Sequence, residues 1–319
     1  MVKRYKKFLA TVPIIFTIFI GVIGVYIYLD SEGIYSANEV DNQRKIGASY
    51  MTMNNPFFEI INEEIRYIVE GNGDVLITRD PALNLEKQIQ EIYDFIDLEV
   101  KAIFINPVDW IGIKPALEAA KKAGIIVIAI DTNVYDENLI SSTIVSDNYD
   151  AGVQCAKDLM ESKDSANIIL LEHSTAKSAI DRIRGFEDTI KGKPNYQIVG
   201  RGDSVGQLET AMPVVEELLD KAPNANVIMA LNDPSALGAM MALEQKNIKD
   251  IAVYGIDGSP EGKTMIKDNR MTATVAQFPR RIGRVSAEKL YDIFKGVPVD
   301  KKIIIPVELI NNKNIDNYK

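Results

Sequence analysis

The 319-residue chain has one cysteine, one histidine and one tryptophan. A lone Cys155 excludes an intramolecular disulfide and any cysteine-rich metal site. It reads as a small buried residue on the helix face of Leu159. A lone His173 excludes zinc motifs built on a histidine pair. Any Ser-His-Asp or Cys-His catalysis would depend on that one residue. His173 follows Glu172 at a strand end, where a satisfied loop histidine is the simpler reading than a general base. Neither GxGxxG nor GxxxxGK[ST] occurs, so both Gly-rich phosphate cradles are absent. Basic residues are in deficit, 36 Lys and Arg against 45 Asp and Glu, for a net charge of −9. Such a chain has no overall attraction for nucleic acid. No catalytic motif stands out, and no metal and no cofactor is expected.

What is there begins with an apolar run. Phe8 to Leu29 carries no charged residue, and Lys3, Arg4, Lys6 and Lys7 precede it. As a helix at about 1.5 Å per residue it would reach about 33 Å, roughly the hydrocarbon core of a membrane. The basic flank places the amino terminus in the cytoplasm and the rest outside. Residues 1–29 are therefore expected to form an uncleaved, single-pass membrane anchor. A cleaved signal segment, leaving a secreted or periplasmic body, is the alternative. No Cys follows the run, which argues against a lipoprotein anchor. Residues 30–44 are polar and aperiodic, and read as a tether.

From Lys45 onward, short β-branched runs alternate with amphipathic stretches. Ala102–Ile105, Ile125–Ile130, Val227–Leu231 and Ile251–Ile256 are apolar without alternation, the pattern of strands buried on both faces. Leu85, Ile89, Ile92 and Ile96 mark one face of a helix. Strands alternating with helices predict parallel sheets, and about ten strands are too many for one open sheet. An α/β protein of two lobes is expected.

The ends of these strands carry polar residues: Asn106, Asp131, Asn232, Asp257 and Gln277. In open parallel sheets, ligands bind outside the carboxyl ends of the strands. Amides and carboxylates there suit a neutral, polyhydroxylated ligand. Each residue alone reads more readily as a helix cap than as a ligand contact; five at five strand ends in both lobes favour a site. After the first strand, Asn55-Pro56 reads as an N-cap followed by a first-turn proline. Phe57 and Phe58 then diverge by about 100°, so that one is expected in the core and one on the crevice. Of Arg182 and Arg184, helical spacing turns only one toward the site.

Taken in order, NNPFF (54–58), INP (105–107), AID (129–131), VSDN (145–148), RIRGF (182–186), ALNDPSALGA (230–239), YGIDGSPEG (254–262) and TVAQFP (274–279) resemble the ribose/galactose-type periplasmic sugar-binding proteins. The resemblance covers nearly all of 45–307. It implies two Rossmann-like lobes with parallel sheets and a three-strand hinge, of the type I periplasmic binding protein fold shared with lac-type repressors. Lobe 1 would be 45–146 plus 278–306, and lobe 2 would be 147–277 plus 307–319. Phe57 and Phe58 would sandwich a sugar ring, while Asn55, Asn106, Asp131, Arg182, Asn232, Asp257 and Gln277 would bond its hydroxyls. Thr132 stands where ribose-type members carry Arg, Ile256 where they carry an aromatic, and Met51 where they carry a small polar residue. The aromatic expected around Ser204–Gly206 is absent. The resemblance implies capture of a small neutral ligand, a monosaccharide or related sugar, for an ABC permease. The alternative is a membrane-held chemoreceptor that signals to a sensor histidine kinase.

Overall fold

The computed structural model describes residues 43–318. The apolar run Phe8–Leu29, and with it the expected anchor, lies outside the described residues. Among the described residues no helix is long and apolar enough to cross a membrane.

The strands follow the buried runs. They are β1 (Lys45–Ser49), β2 (Val75–Arg79), β3 (Ala102–Ile105), β4 (Ile126–Ile130), β5 (Ser142–Ser146), β6 (Ala166–Glu172), β7 (Tyr196–Asp203), β8 (Val227–Ala230), β9 (Ala252–Asp257) and β10 (Ala273–Ala276), with β11 (Lys302–Ile305) and β12 (Glu308–Asn311) closing the chain. Between them run α1 (Pro56–Gly71), α2 (Leu85–Asp97), α3 (Lys114–Lys122), α4 (Asn148–Ser162), α5 (Lys177–Ile190), α6 (Leu208–Lys221), α7 (Asp233–Gln245), α8 (Pro260–Lys267) and α9 (Pro279–Phe294).

Two sheets result, ordered β11-β5-β4-β3-β1-β2 and β12-β10-β9-β8-β6-β7. Every pair is parallel except β10 with β12. Helices cover both faces, so β3, β5, β8 and β10 are buried at every residue. The α2 stripe packs as its spacing predicts: Ile92 and Phe95 are fully buried, with Leu85, Ile89 and Ile96 against them. At the end of α3, Gly124 takes φ +74°, a conformation that glycine adopts without strain.

The chain passes from the first sheet to the second between β5 and α4, returns between β10 and α9, and crosses again between β11 and β12. The α9 helix packs on α1, where Arg284 pairs with the Glu64 carboxylate at 2.7 Å. The two closing strands are absent from the buried runs of the sequence for a physical reason. Both are four-residue edge strands, and Lys302 and Ile304 of β11 and Glu308 of β12 face solvent.

Candidate functional site

The carboxyl ends of strands from both sheets converge on one cavity of about 40 Å³. Asp131 reaches it by a tight reversal after β4. Its φ is +64°, and the Thr132 N–H donates to the Ile130 carbonyl at 2.7 Å. That is a γ-turn of the rare, strained hand. Asp257, which ends β9, sits at φ 150°, another backbone setting that L-residues avoid. Each such residue costs of order 1–3 kcal/mol and persists only where its surroundings hold it. Both strained carboxylates line the cavity.

Arg182 stands between them. Its helix α5 lies against α4 with backbones nearly touching: a Cβ on Gly152 would strike the Arg182 carbonyl, and one on Gly185 would strike the Tyr149 carbonyl. This approach lets the Arg182 Nε donate to Asn148 Oδ1 at 2.8 Å, while Nη1 donates to the Leu231 carbonyl at 3.0 Å. The fixed guanidinium stops 4.0 Å from Asp131 Oδ1 and 3.9 Å from Asp257 Oδ1, too far for direct hydrogen bonds. Arg184 is exposed and pairs with Asp188 on the outer face.

Two buried carboxylates, Asp131 and Asp257, thus flank one guanidinium, with a third, Asp233, buried behind and bonded to Thr274 and the Ser259 N–H. Burial pushes the Asp131 carboxyl up to about 6, against the pull of Arg182 and the hydrogen bond from Asn106. Asp257 is pushed up by burial and by the neighbouring Asp233 charge, again against Arg182. Gln277 Nε2 donates to Asp257 Oδ1 at 2.7 Å. In this cluster, Asp131 Oδ1 and Gln277 Oε1 are buried without partners. Leaving such groups unpaired costs about 1–3 kcal/mol each.

Phe57 and Phe58 are both buried and both border the cavity, so the expected split of one inward and one outward does not hold. Nor do they form a sandwich. Their planes meet at 83° with centroids 5.5 Å apart, giving an L-shaped wall without two parallel faces for a ring to enter. Asn55 caps α1, with its Oδ1 accepting from the Phe57 N–H, and its side chain also lines the cavity. Asn232 caps α7 and donates through Nδ2 to the Gly206 carbonyl. Of the strand-end polar residues, Asn232 alone is a helix cap. Asp131, Asp257 and Gln277 cap nothing and face the cavity.

Asn106 is the expected site residue that does not line the cavity. It is fully buried behind Asp131, accepts from the Met51 N–H, and donates to the Ile130 carbonyl and to Asp131 Oδ2. Its amide bonds the β1 and β4 ends and steadies Asp131.

The two lobes touch along a polar seam. The Trp110 N–H donates to the Thr175 carbonyl at 3.1 Å, and the Thr175 hydroxyl donates to the Val108 carbonyl at 3.1 Å. The Ser178 N–H donates to Thr132 Oγ1 at 2.9 Å, and Asn54 Nδ2 to Gln207 Oε1 at 3.3 Å. The structure is therefore a closed one.

A sequence model described as periplasmic binding protein domain matches residues 46–297. The chain belongs to the periplasmic binding protein family. Within that family it is of the ribose/galactose type. It is 33% identical over 270 residues to a ribose import binding protein of Bacillus subtilis, covering 84% of this chain and 87% of the relative. An ABC transporter solute-binding protein from Mycobacterium smegmatis superposes with a TM-score of 0.82 at 28% identity, over 86% of this chain and 96% of the other. The binding component of an arabinose ABC transporter from Shewanella, solved with L-arabinofuranose, gives 0.80 at 27% identity, over 86% and 93%.

In this family member the cavity also gathers residues that the sequence reasoning did not select: Met51, His173, Ser178 and Gln207. His173 Nε2 lies 3.2 Å from the Thr175 hydroxyl. Because that hydroxyl donates to Val108, His173 must supply the proton to Thr175, which leaves Nδ1 as an acceptor. Burial holds the imidazole below its ordinary pKa and so favours this neutral form. The signal that would have found His173, Ser178 and Gln207 is the one applied elsewhere, namely polar residues at a strand end or in a first helical turn. Val205 and Gly206 fill the place of the missing aromatic, so the Phe wall has no aromatic opposite it. Thr132 serves the seam, and Ile256 is wholly buried in the core. Among the described residues no group of three His, Cys, Asp or Glu side chains could hold a metal ion.

Proposed function

We propose that this protein captures a small neutral ligand, a monosaccharide or monosaccharide derivative, between its closing lobes for ABC-type sugar uptake. The observation that carries the reading is the gapped triad of Asp131, Arg182 and Asp257 with the orphaned Asp131 Oδ1. Gaps of 4.0 and 3.9 Å each admit a hydroxyl oxygen that accepts from the guanidinium and donates to the carboxylate. A polyol fills both gaps at once. Asn55, Asn232 and Gln277 surround the same space, and the Phe57–Phe58 wall offers an apolar surface to the C–H side of a ring. Asn106 acts from behind.

The cavity of about 40 Å³ holds a few waters, so a sugar enters only an opened cleft. We place the hinge at the three crossings near Ser146, Gln277 and Pro306, with lobe 1 as 45–146 plus 278–306 and lobe 2 as the rest of the body. We place the body outside the cytoplasm, held by residues 1–29. The relatives' ribose and arabinose make these two sugars the first to try. The test is calorimetric titration of the full-length chain in detergent with D-ribose, L-arabinose and D-galactose, read alongside emission from Trp110, the single tryptophan. Micromolar binding with a change in emission is expected; binding of none of the three would sink the reading.

A further inference from the structure

A second pocket of about 280 Å³ adjoins the polar cavity. Asn55, Phe57, Gln207, Asp257 and Gln277 border both, so the two spaces share a wall. The chemistry changes across that wall. Ile60 on α1 faces Leu208 on α6 and Leu237 on α7, with Pro234, Pro260 and Pro279 at the margins. Ile60, Leu208 and Leu237 are only half-buried, so the closed protein leaves apolar surface from both lobes wet. Glu209 and Glu261 stand at the rim, and no Lys or Arg lines the pocket.

We propose that this pocket is a subsite for a bulky, uncharged apolar or aryl group carried by the sugar, so that the preferred ligand is a glycoside and not a free monosaccharide. The inference rests on the sugar-binding reading. The sizes favour it: the polar cavity is too small to grow in its closed form, whereas an apolar cavity of about 150 Å³ already takes a benzene ring. The composition favours it too: although Asn54, Gln207 and Ser259 also border the pocket, Ile60, Leu208 and Leu237 with four prolines make its surface mostly apolar, which an aryl group covers better than a second sugar or a phosphate. Phosphate would also meet Glu209, Glu261 and Asp257 with no cation to receive it. An aryl group would cover apolar surface of both lobes together and so favour closure.

The experiment titrates the full-length chain with D-ribose, L-arabinose and D-galactose, the α- and β-phenyl glycosides of each, and ribose 5-phosphate. The expected result is a phenyl glycoside bound roughly ten- to a hundredfold more tightly than its free sugar, with ribose 5-phosphate weaker than ribose. Leu237→Glu, and independently Ile60→Glu from the other lobe, should abolish the gain and leave free-sugar affinity within about twofold. Either variant that folds, judged by its thermal transition, decides the point. If a free sugar binds and both of its phenyl glycosides bind equally or more weakly, the subsite is overturned and the sugar reading stands. If neither sugars nor glycosides bind, both fall.

Discussion

The two walls of the cleft differ in chemistry. The first lobe contributes Met51, Phe57 and Phe58, with Asn55 and the single carboxylate Asp131. The second contributes His173, Ser178, Arg182, Gln207, Asn232 and Asp257, with Gln277 at the crossing back. One wall offers surface and the other directed hydrogen bonds. A ligand that satisfies both must have an apolar side and a hydroxylated side, as a sugar ring does. The difference also teaches where energy is held. Each wall holds one strained carboxylate, Asp131 in the first and Asp257 in the second, and the second adds the Arg182 charge that lies between them.

Removing the centre of the polar wall should therefore have the largest effect. In Arg182→Ala, Asn148 Oδ1 and the Leu231 carbonyl lose their donor, and Asp131 and Asp257 lose the guanidinium between them. Stripping one partner from a buried charge cluster costs about 3–5 kcal/mol. The expected outcome is a marked fall in the urea midpoint and loss of measurable sugar binding. Phe58→Leu, on the other wall, should weaken binding without removing it. Equal losses in the two variants would erase the contrast between the walls.

The next effect is electrostatic and isolates the one carboxylate of the first wall. Asp131 has its folded pKa raised to about 6 by burial, above the ordinary value near 3.9 of an unfolded chain. The folded state holds its proton more tightly, so the associated stability is full below about pH 4 and is lost as pH rises through about 6. Asp131→Asn cannot lose that proton. The stability of the wild type relative to the Asn variant should drop between about pH 4 and 6, by no more than the order of 3 kcal/mol, read as a fall in its thermal midpoint. A difference that stays flat, or rises with pH, would show that Asp131 is not held in a desolvated site.

The strands and the two-lobe plan were legible in the sequence because burial on both faces writes itself as unbroken β-branched runs. The strand ends were legible because Asp131, Asp257 and Gln277 interrupt those runs at the crevice. What escaped the sequence depends on distances that no pattern encodes. Asn106 has the right residue type at the right strand end, yet its amide is spent on Met51, Ile130 and Asp131. Phe57 and Phe58 differ by one helical step, but side-chain torsions, not that step, set their planes at 83°. His173 reads in the sequence as a loop histidine. Its place in the cavity follows from the Thr175 contact to the opposite lobe, which only the fold brings about.

The smallest effect is expected at the seam where the walls meet. Thr132 Oγ1 accepts the Ser178 N–H, from the first turn of α5, across the lobes. Neither lobe needs this bond for its own core, so Thr132→Ala should leave the thermal midpoint nearly unchanged. It should instead destabilise the closed state by about 1 kcal/mol, the value of one buried hydrogen bond. Apparent affinity falls with the population of the closed form, here by at most about fivefold. Trp110 is bound to Thr175 along the same seam, so its emission should shift toward that of the open protein before ligand is added. Thr132→Ser restores the oxygen and should restore both readouts. If Thr132→Ala lowers the thermal midpoint and leaves affinity intact, Thr132 belongs to the packing of its own lobe, and closure is governed by the two walls alone.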